Sequence, residues 1–346
     1  MSQSYDLQLA YALGKPQAQA GFKQQTSDFI VRERLGFEPS GEGEHVYVQV
    51  RKTAANTAWV GENIARYLDI KEFDVTYAGR KDRHAVTTQW FSCRLPGKQE
   101  PDWAGFDVAG VEILGHSRHQ KKLRRGEHAG NEFEIRLRQV QGHDLEARLE
   151  KIRLQGFPNY FGEQRFGRQG SNMLAADALF SGQVVRREQR DLCLSAVRSY
   201  MFNQDLAAQI LAGAYADQCV AEFQWQLPAD DRAAEAGRKR GRSRDRENTQ
   251  TRGRDAAVTP ESIPRGWLYG LSRQENPALQ SLEQRFPDWC QGLARLALKA
   301  QQRDLWVRPA ALTWRFEESD LLLSFGLPAG SFATSLLREI VDYGER

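Results

Sequence analysis

Long apolar runs are missing from this 346-residue chain. Stretches such as Leu321–Phe325 stop far short of the ~20 residues a membrane-spanning helix needs, so no membrane partner is expected. Cysteine is scarce: Cys93, Cys193, Cys219 and Cys290 are scattered without a Cys-x-x-Cys pair. That spacing argues against a zinc site or a disulfide scaffold and fits a reducing compartment. The first residues, Met1–Asp6, lack a basic stretch followed by an apolar one, so no secretion signal is read there and a cytoplasmic location is expected. There is no internal repeat of fixed period. Neither sign of charge dominates, since 48 Lys or Arg against 45 Asp or Glu leave +3. A total that small does not by itself point to a polyanionic partner; its placement along the chain carries the information.

Hydrophobic residues at 40% and charged residues at 27% suit a soluble globular protein. The length exceeds what one core usually fills, so two domains, or one domain with a large insertion, are expected. From about residue 20 to 140 short alternating runs read as half-buried strands, with Phe29-Ile30-Val31, Val46/Val48/Val50 and Phe133/Ile135/Leu137 as examples. Asp144 is positioned to cap a helix carrying Leu145, Leu149 and Ile152 on one face, ended by Gly156 and Pro158. Leu312/Trp314/Phe316 and Leu321/Leu323/Phe325 alternate around a polar turn, which predicts a hairpin. Ser331 then serves as a cap for a helix with Phe332, Leu336 and Ile340 on one side. Between residues 157 and 304 helical periodicity replaces alternation. Within that stretch Gly237–Arg254 holds eight Lys or Arg and no apolar residue, so it cannot form a core and reads as a flexible basic insert.

Three segments can carry chemistry. Ala78–Gln89 sets Asp82 among Arg80, Lys81 and Arg83 just after an apolar run; surrounding cations favour an ionised carboxylate, able to attack carbon or remove a proton. On spacing alone the segment better suits a loop whose aspartate caps the next element while its cations face water. His116–Arg125 holds Arg118, Lys121, Lys122, Arg124 and Arg125, which suits phosphate contact better than a metal pair at His116 and His119, because the local charge opposes a cation. Pro158–Arg168 interleaves aromatics with Arg165 and Arg168, the mix that stacks on bases and meets phosphate in single-stranded RNA, or alternatively an aromatic hinge. His45 enters a strand after Gly41 and Gly43 and reads as structural, since no helix comes next as a phosphate-cradling loop requires.

Together these motifs resemble the TruD family of tRNA pseudouridine synthases. The resemblance lies in Phe29-x-Val31-x-Glu33, Gly41-Glu42-Gly43-x-His45, Lys52 with Asn56-Thr57, and Ala78-Gly79-x-Lys81-Asp82-x-x-Ala85-x-Thr87-x-Gln89. It continues in Gly130-Asn131-x-Phe133, Pro158-Asn159-Tyr160-Phe161-Gly162-x-Gln164-Arg165-Phe166-Gly167 and Leu327-Pro328-x-Gly330-Ser331-Phe332-Ala333-Thr334. Coverage runs from about residue 10 to 205 and from 305 onward; between 206 and 304 the family pattern is not recognisable. The resemblance implies an α/β (α+β) catalytic domain with a central, mainly antiparallel sheet, formed by residues 1–156 and 305–346, and a family-specific domain inserted as residues 157–304.

It further implies an isomerase that turns a uridine of tRNA into pseudouridine, typically position 13 of a glutamate tRNA in bacteria, without cofactor or metal. The partner expected is tRNA, and the chain is expected to act as a monomer. Asp82 falls on the catalytic aspartate; Phe29, Asn131 and Phe332 on positions that hold the uridine; Phe133 on the ring that packs against the base; Lys23 on a basic active-site position. Lys81, Arg118, Lys121, Lys122, Arg124, Arg125, Arg165 and Arg168 are the candidate RNA contacts.

Overall fold

Alternation becomes pleat over the first half of the chain. The computed structural model describes residues 5–97, 99–215, 220–225 and 263–344. Its early strands are β1 (Gln19–Phe22), β2 (Phe29–Arg34), β3 (His45–Thr53), β4 (Val75–Tyr77), β5 (Val86–Arg94), β6 (Val111–His119) and β7 (Gly130–Gln141). Later come β8 (Phe157–Pro158), β9 (Arg265–Leu268), β10 (Gln301–Asp304), β11 (Trp306–Val307), β12 (Ala310–Glu317) and β13 (Asp320–Pro328). Nine of these form one sheet in the order β12-β13-β7-β2-β5-β3-β6, with β1 beside β7 and β4 beside β5. All its pairings are antiparallel except β2 with β5. The class is therefore mixed α/β with a mainly antiparallel sheet. Strand β7 buries Phe133, Ile135 and Leu137 on one face, while Glu134, Arg136 and Arg138 point the other way. The predicted hairpin forms with Glu317 opposite Asp320, and Arg136 of β7 donates to both carboxylates, at 2.8 and 2.9 Å.

Helices cover the sheet where the apolar stripes allow. In α1 (Thr57–Tyr67) Val60, Ile64 and Ala65 are buried in one core with Val46, Val48, Val50 and Phe91. In α2 (Leu145–Gln155) the predicted stripe of Leu145, Leu149 and Ile152 is the buried face. The predicted cap fails: Asp144 has a left-handed backbone (φ 65°) that turns its carboxylate away from the helix amides, and its partner is His143 at 3.6 Å. Gly156 does end the helix at φ 88°, where any β-carbon would lie 2.6 Å from the carbonyl oxygen of Val307.

A second core, helical, draws on α3 (Ser171–Phe180), α4 (Arg187–Leu211), α5 (Pro277–Arg285) and α6 (Pro287–Arg295), with Met173, Val197, Phe202, Leu282 and Leu293 among its buried members. Helix α7 (Ala333–Ile340) returns to the sheet core through Leu336, Leu337 and Ile340. Its cap position is Phe332 rather than the expected Ser331, because the amide of Ser331 closes a turn onto Pro328 (3.2 Å).

The segment leading into β1 touches both cores. Tyr5 lies against Tyr200 and Trp289 of the helical core, at 5.9 and 5.7 Å between ring centroids. A few residues later, the amides of Ala12 and Leu13 donate to the buried carboxylate of Glu339 in α7, at 3.0 and 3.2 Å. Asp342 then pairs with the backbone beside β1, its amide donating to Ala18 O at 2.8 Å and its carbonyl accepting from the amide of Ala20 at 3.2 Å. Among the described residues no helix is long and apolar enough to cross a membrane. Gly237–Arg254 and Cys219 lie outside the described residues.

Candidate active site

The segment Ala78–Ala85 links β4 to β5 and is held from several directions. The amide of Lys81 donates to Thr57 Oγ1 (3.0 Å), whose hydroxyl donates to Gln89 Oε1 (2.9 Å), while Gln89 Nε2 donates to Gly79 O (3.2 Å). Thr57 begins α1 and Gln89 lies on β5, so the loop is keyed to one helix and one strand. The ammonium of Lys81 closes a buried ion pair with Glu33 of β2, and Glu33 also accepts from the amide of Trp90 at 3.0 Å. Lys52, with no exposed surface, donates from β3 to Ala55 O (2.7 Å) and to the main-chain carbonyl of Asp82 (2.9 Å). Burial pulls the Lys52 pKa down to about 8; the charge of Asp82 raises it and that of Lys81 lowers it further.

The side chain of Asp82 meets a cation from another element. Lys23, in the turn after β1 with a left-handed backbone (φ 53°), places its Nζ 3.3 Å from Asp82 Oδ2 and 3.8 Å above the Phe29 ring. Phe29 and Phe133 are buried neighbours at 6.0 Å between centroids, and Phe133 stacks on Phe325 at 5.3 Å, so the pair Lys23–Asp82 borders an aromatic floor. Asn131 lies two residues before Phe133, on the same face of β7. It is buried; its Nδ2 lies 3.4 Å from His128 Nε2, and its Oδ1 has no hydrogen-bond partner. A buried acceptor left unpaired costs roughly 1–3 kcal/mol, a cost that a bound donor would remove. Gly130 permits this approach: a β-carbon there would lie 2.2 Å from Leu327 O on β13.

Phe332 packs with a separate group of rings, against the helical core. Its ring neighbour is Phe161 at 5.9 Å, and Gly162 leaves room for it, since a β-carbon there would lie 3.4 Å from Phe332 Cδ1. Arg303 of β10 fastens this corner. Its guanidinium lies 3.9 Å over the Phe161 ring and donates to Asn159 O, Asn159 Oδ1 and Gly330 O, two residues before Phe332. Burial, and then the charge of Arg165, hold its pKa below the ordinary value.

The expected cations divide. Lys81 is closed off by Glu33, not offered to RNA, because β2 brings that carboxylate beneath the loop. Arg118 is likewise engaged internally, by Glu100 at 3.0 Å and by Gly43 O and Leu95 O, both at 3.2 Å. Lys121, Lys122, Arg124, Arg125 and Arg168 are exposed. Lys122, Arg124 and Arg125 line a shallow groove of about 560 Å³ with Phe73 and Tyr77 opposite. Arg165 is half-buried, donating to Ser195 Oγ at 3.1 Å with Phe161 at 5.5 Å, and burial followed by Arg125 lowers its pKa. His116 and His119 turn to separate partners, Glu100 and the amide of Ser40. His45 is buried on β3.

Sequence reasoning placed Lys52, Glu33, Thr57 and Gln89 within motifs but gave them no role; their partners lie 24 to 57 residues away, apart from the local bonds of Lys52 to Ala55 and of Gln89 to Gly79. His128, Phe325 and Arg303 were missed altogether. Phe325 carried a strand signal but no functional one, and Arg303 stands in Gln-Gln-Arg-Asp with nothing to mark it.

Comparison with known proteins first gives the class. A family model described as tRNA pseudouridine synthase D (TruD) matches residues 8–185 and 175–340, and so runs through the stretch 206–304 where no family motif was recognisable. Similar chains named tRNA pseudouridine synthase D include one from Aeromonas hydrophila, 43% identical over 343 residues (98% of this chain, 95% of the relative). Another, from Cellvibrio japonicus, is 41% identical over 356 residues (98% and 94%). A crystal structure from Methanosarcina mazei carrying the same family name shares the fold, with a TM-score of 0.63 at 19% identity, covering 96% of this chain and 95% of that one. The chain belongs to the TruD family of tRNA pseudouridine synthases, isomerases that act on uridine in tRNA.

Proposed function

We propose that this chain isomerises a uridine of tRNA to pseudouridine with Asp82 as the acting carboxylate and without cofactor or metal, and that in line with the family resemblance the target is position 13 of a glutamate tRNA. The observation that carries the reading is the carboxylate of Asp82, fixed at one oxygen by Lys23 beside the rings of Phe29 and Phe133. With Oδ2 engaged by the ammonium, the other oxygen is left to react. Isomerisation requires the base to detach, turn and rejoin through C5, so the detached uracil needs a surface to lie on, and aromatic rings supply it. The target nucleotide leaves its stack before reaching such a site, and those rings replace the stacking lost.

Two routes fit one carboxylate. In the first, an oxygen of Asp82 bonds to C1′ as the C1′–N1 bond breaks and uracil departs as an anion; C5 then bonds to C1′ as the bond to Asp82 breaks, the C5 proton passes to a base, and N1 takes up a proton. In the second, Asp82 removes the proton at C2′ as uracil departs as an anion, leaving a glycal; C5 then adds to C1′ while the proton returns to C2′, the C5 proton is lost to a base, and N1 takes up a proton. Asn131 Oδ1, buried without a donor, suits an N–H of the base, and Phe332 is assigned with Phe29 to holding it. The tRNA backbone is assigned to Lys121, Lys122, Arg124, Arg125, Arg165 and Arg168. We divide the chain into a catalytic domain of residues 1–156 and 305–346 and an inserted domain of 157–304, a division favoured by the helical core gathering residues between Tyr160 and Leu305.

The test is Asp82→Asn assayed on tRNA by mapping pseudouridine. Binding is expected to stay within about twofold while product formation falls below detection. Full activity in that variant removes Asp82 from the mechanism. Wild-type protein that binds tRNA without making pseudouridine would instead leave a silent RNA-binding protein on the same fold.

A further inference from the structure

We infer that Lys52 is a positioning residue for the isomerisation: its buried ammonium, bonded to the main-chain carbonyls of Asp82 and Ala55, holds the Asp82 backbone where the carboxylate meets Lys23 and the aromatic floor. The inference depends on Asp82 being the acting carboxylate. Lys52 does not touch the space where a substrate would lie; it has no exposed surface, and it acts through the peptide of Asp82.

An apolar side chain would be the less costly choice at this place, because a charged amine deprived of water is unfavourable unless its partners compensate. The partners here are two carbonyl oxygens at 2.7 and 2.9 Å, both on the loop segments that flank the site. Carbonyl dipoles bond a charged donor more strongly than a neutral one. The ammonium therefore acts as a rivet between the turn at Ala55 and residue 82, and its grip is strongest while it carries its extra proton. The charges facing it are Asp82 on the loop, which favours the proton, and Lys81 on the same loop, which opposes it. Lys81 is largely answered by Glu33. Lys23 pairs with the Asp82 carboxylate at 3.3 Å.

Burial sets the Lys52 pKa at about 8 against an ordinary 10.5, so the rivet loosens over a range accessible to assay. Stability linked to the same proton moves in the opposite direction. Between about pH 8 and 10.5 the unfolded chain binds the extra proton, so the contribution of Lys52 to folding stability rises with pH. Activity that falls in this range while this residue's contribution stabilises the fold is the signature of positioning rather than of unfolding.

The experiment measures single-turnover pseudouridine formation on prebound tRNA from pH 6.5 to 9.5 for the wild type, Lys52→Met and Asp82→Asn, with tRNA affinity and thermal unfolding monitored at each pH. For the wild type a fall in rate centred near pH 8 is expected. In Lys52→Met the rate is expected to be roughly 10- to 100-fold lower at pH 7, the scale of a misplacement near 1 Å, with affinity within about twofold and without the fall near pH 8. Any later decline common to both proteins belongs to the substrate. A wild-type rate with an unchanged profile in Lys52→Met overturns the inference, as does a loss confined to tRNA affinity. If Lys52→Met does not fold, the wild-type profile decides alone: a rate flat from pH 7 to 9 overturns it. An active Asp82→Asn would sink the underlying reading, whereas an inactive Asp82→Asn beside a fully active Lys52→Met sinks only the role of Lys52.

Discussion

The lysines around the Ala78–Ala85 loop contrast with the cations of the Lys121–Arg125 loop. In the first, each ammonium of Lys23, Lys52 and Lys81 answers a carboxylate or a carbonyl of the protein itself. In the second, Lys121, Lys122, Arg124 and Arg125 stand in solvent, and the pairing of Arg124 with Glu127 is long, at 3.9 Å between exposed groups. A surface pair of that kind contributes little to stability, leaving the charge for a polyanion. The lesson is that positive charge near a candidate site serves two separate purposes, building the site and recruiting RNA. Only burial and partners tell them apart.

The sharpest way to break this contrast is Glu33→Gln, which strands the buried ammonium of Lys81. Leaving one partner of a buried pair uncompensated costs about 3–5 kcal/mol, so chemical denaturation is expected to show a loss of that order. A loss below about 1 kcal/mol would move Lys81 to the recruiting group. Next in size is Lys23→Met. It leaves the loop bonds intact but frees the Asp82 carboxylate, and the single-turnover rate is expected to fall roughly 10²-fold with tRNA affinity unchanged. The smallest effects are expected in the exposed loop. Arg125→Ala is expected to weaken tRNA binding a few-fold and to lower the slope of log K against log salt by about 1, with the bound-state rate unaffected. Arg118→Ala, whose guanidinium already answers Glu100 and two carbonyls, is expected to leave that slope unchanged.

The sequence made legible those features that depend on near neighbours. Alternation in β7 and in the hairpin of β12 and β13 was readable because one face of each strand is apolar, and the α2 stripe because its spacing is helical. Helix starts were less legible: Asp144 and Ser331 have capping chemistry, but a left-handed backbone at one and a turn onto Pro328 at the other send the helix on without it. In the site, Asp82, Lys23, Phe29 and Phe133 were named together through family likeness, and they do meet. The supporting bonds were not legible, because Lys81 takes its partner from β2 and Lys52 reaches the loop from the neighbouring strand β3. Local spacing had set Lys81 among the RNA contacts for that reason.

The segment that leads into β1 bears on when the site can assemble. Lys23 is synthesised long before Glu339 and Asp342, yet the strand that leads to it is bordered by Asp342 and the approach to that strand is tethered to Glu339. On a growing polypeptide these tethers do not yet exist, so until helix α7 has emerged the ammonium expected to steady Asp82 is placed by the pairing of β1 with β7 alone. Nascent chains halted upstream of that helix would carry the aspartate loop, the aromatic strands and the β1–β7 pairing but hold the ammonium less firmly, so full competence waits on the tethers to Glu339 and Asp342.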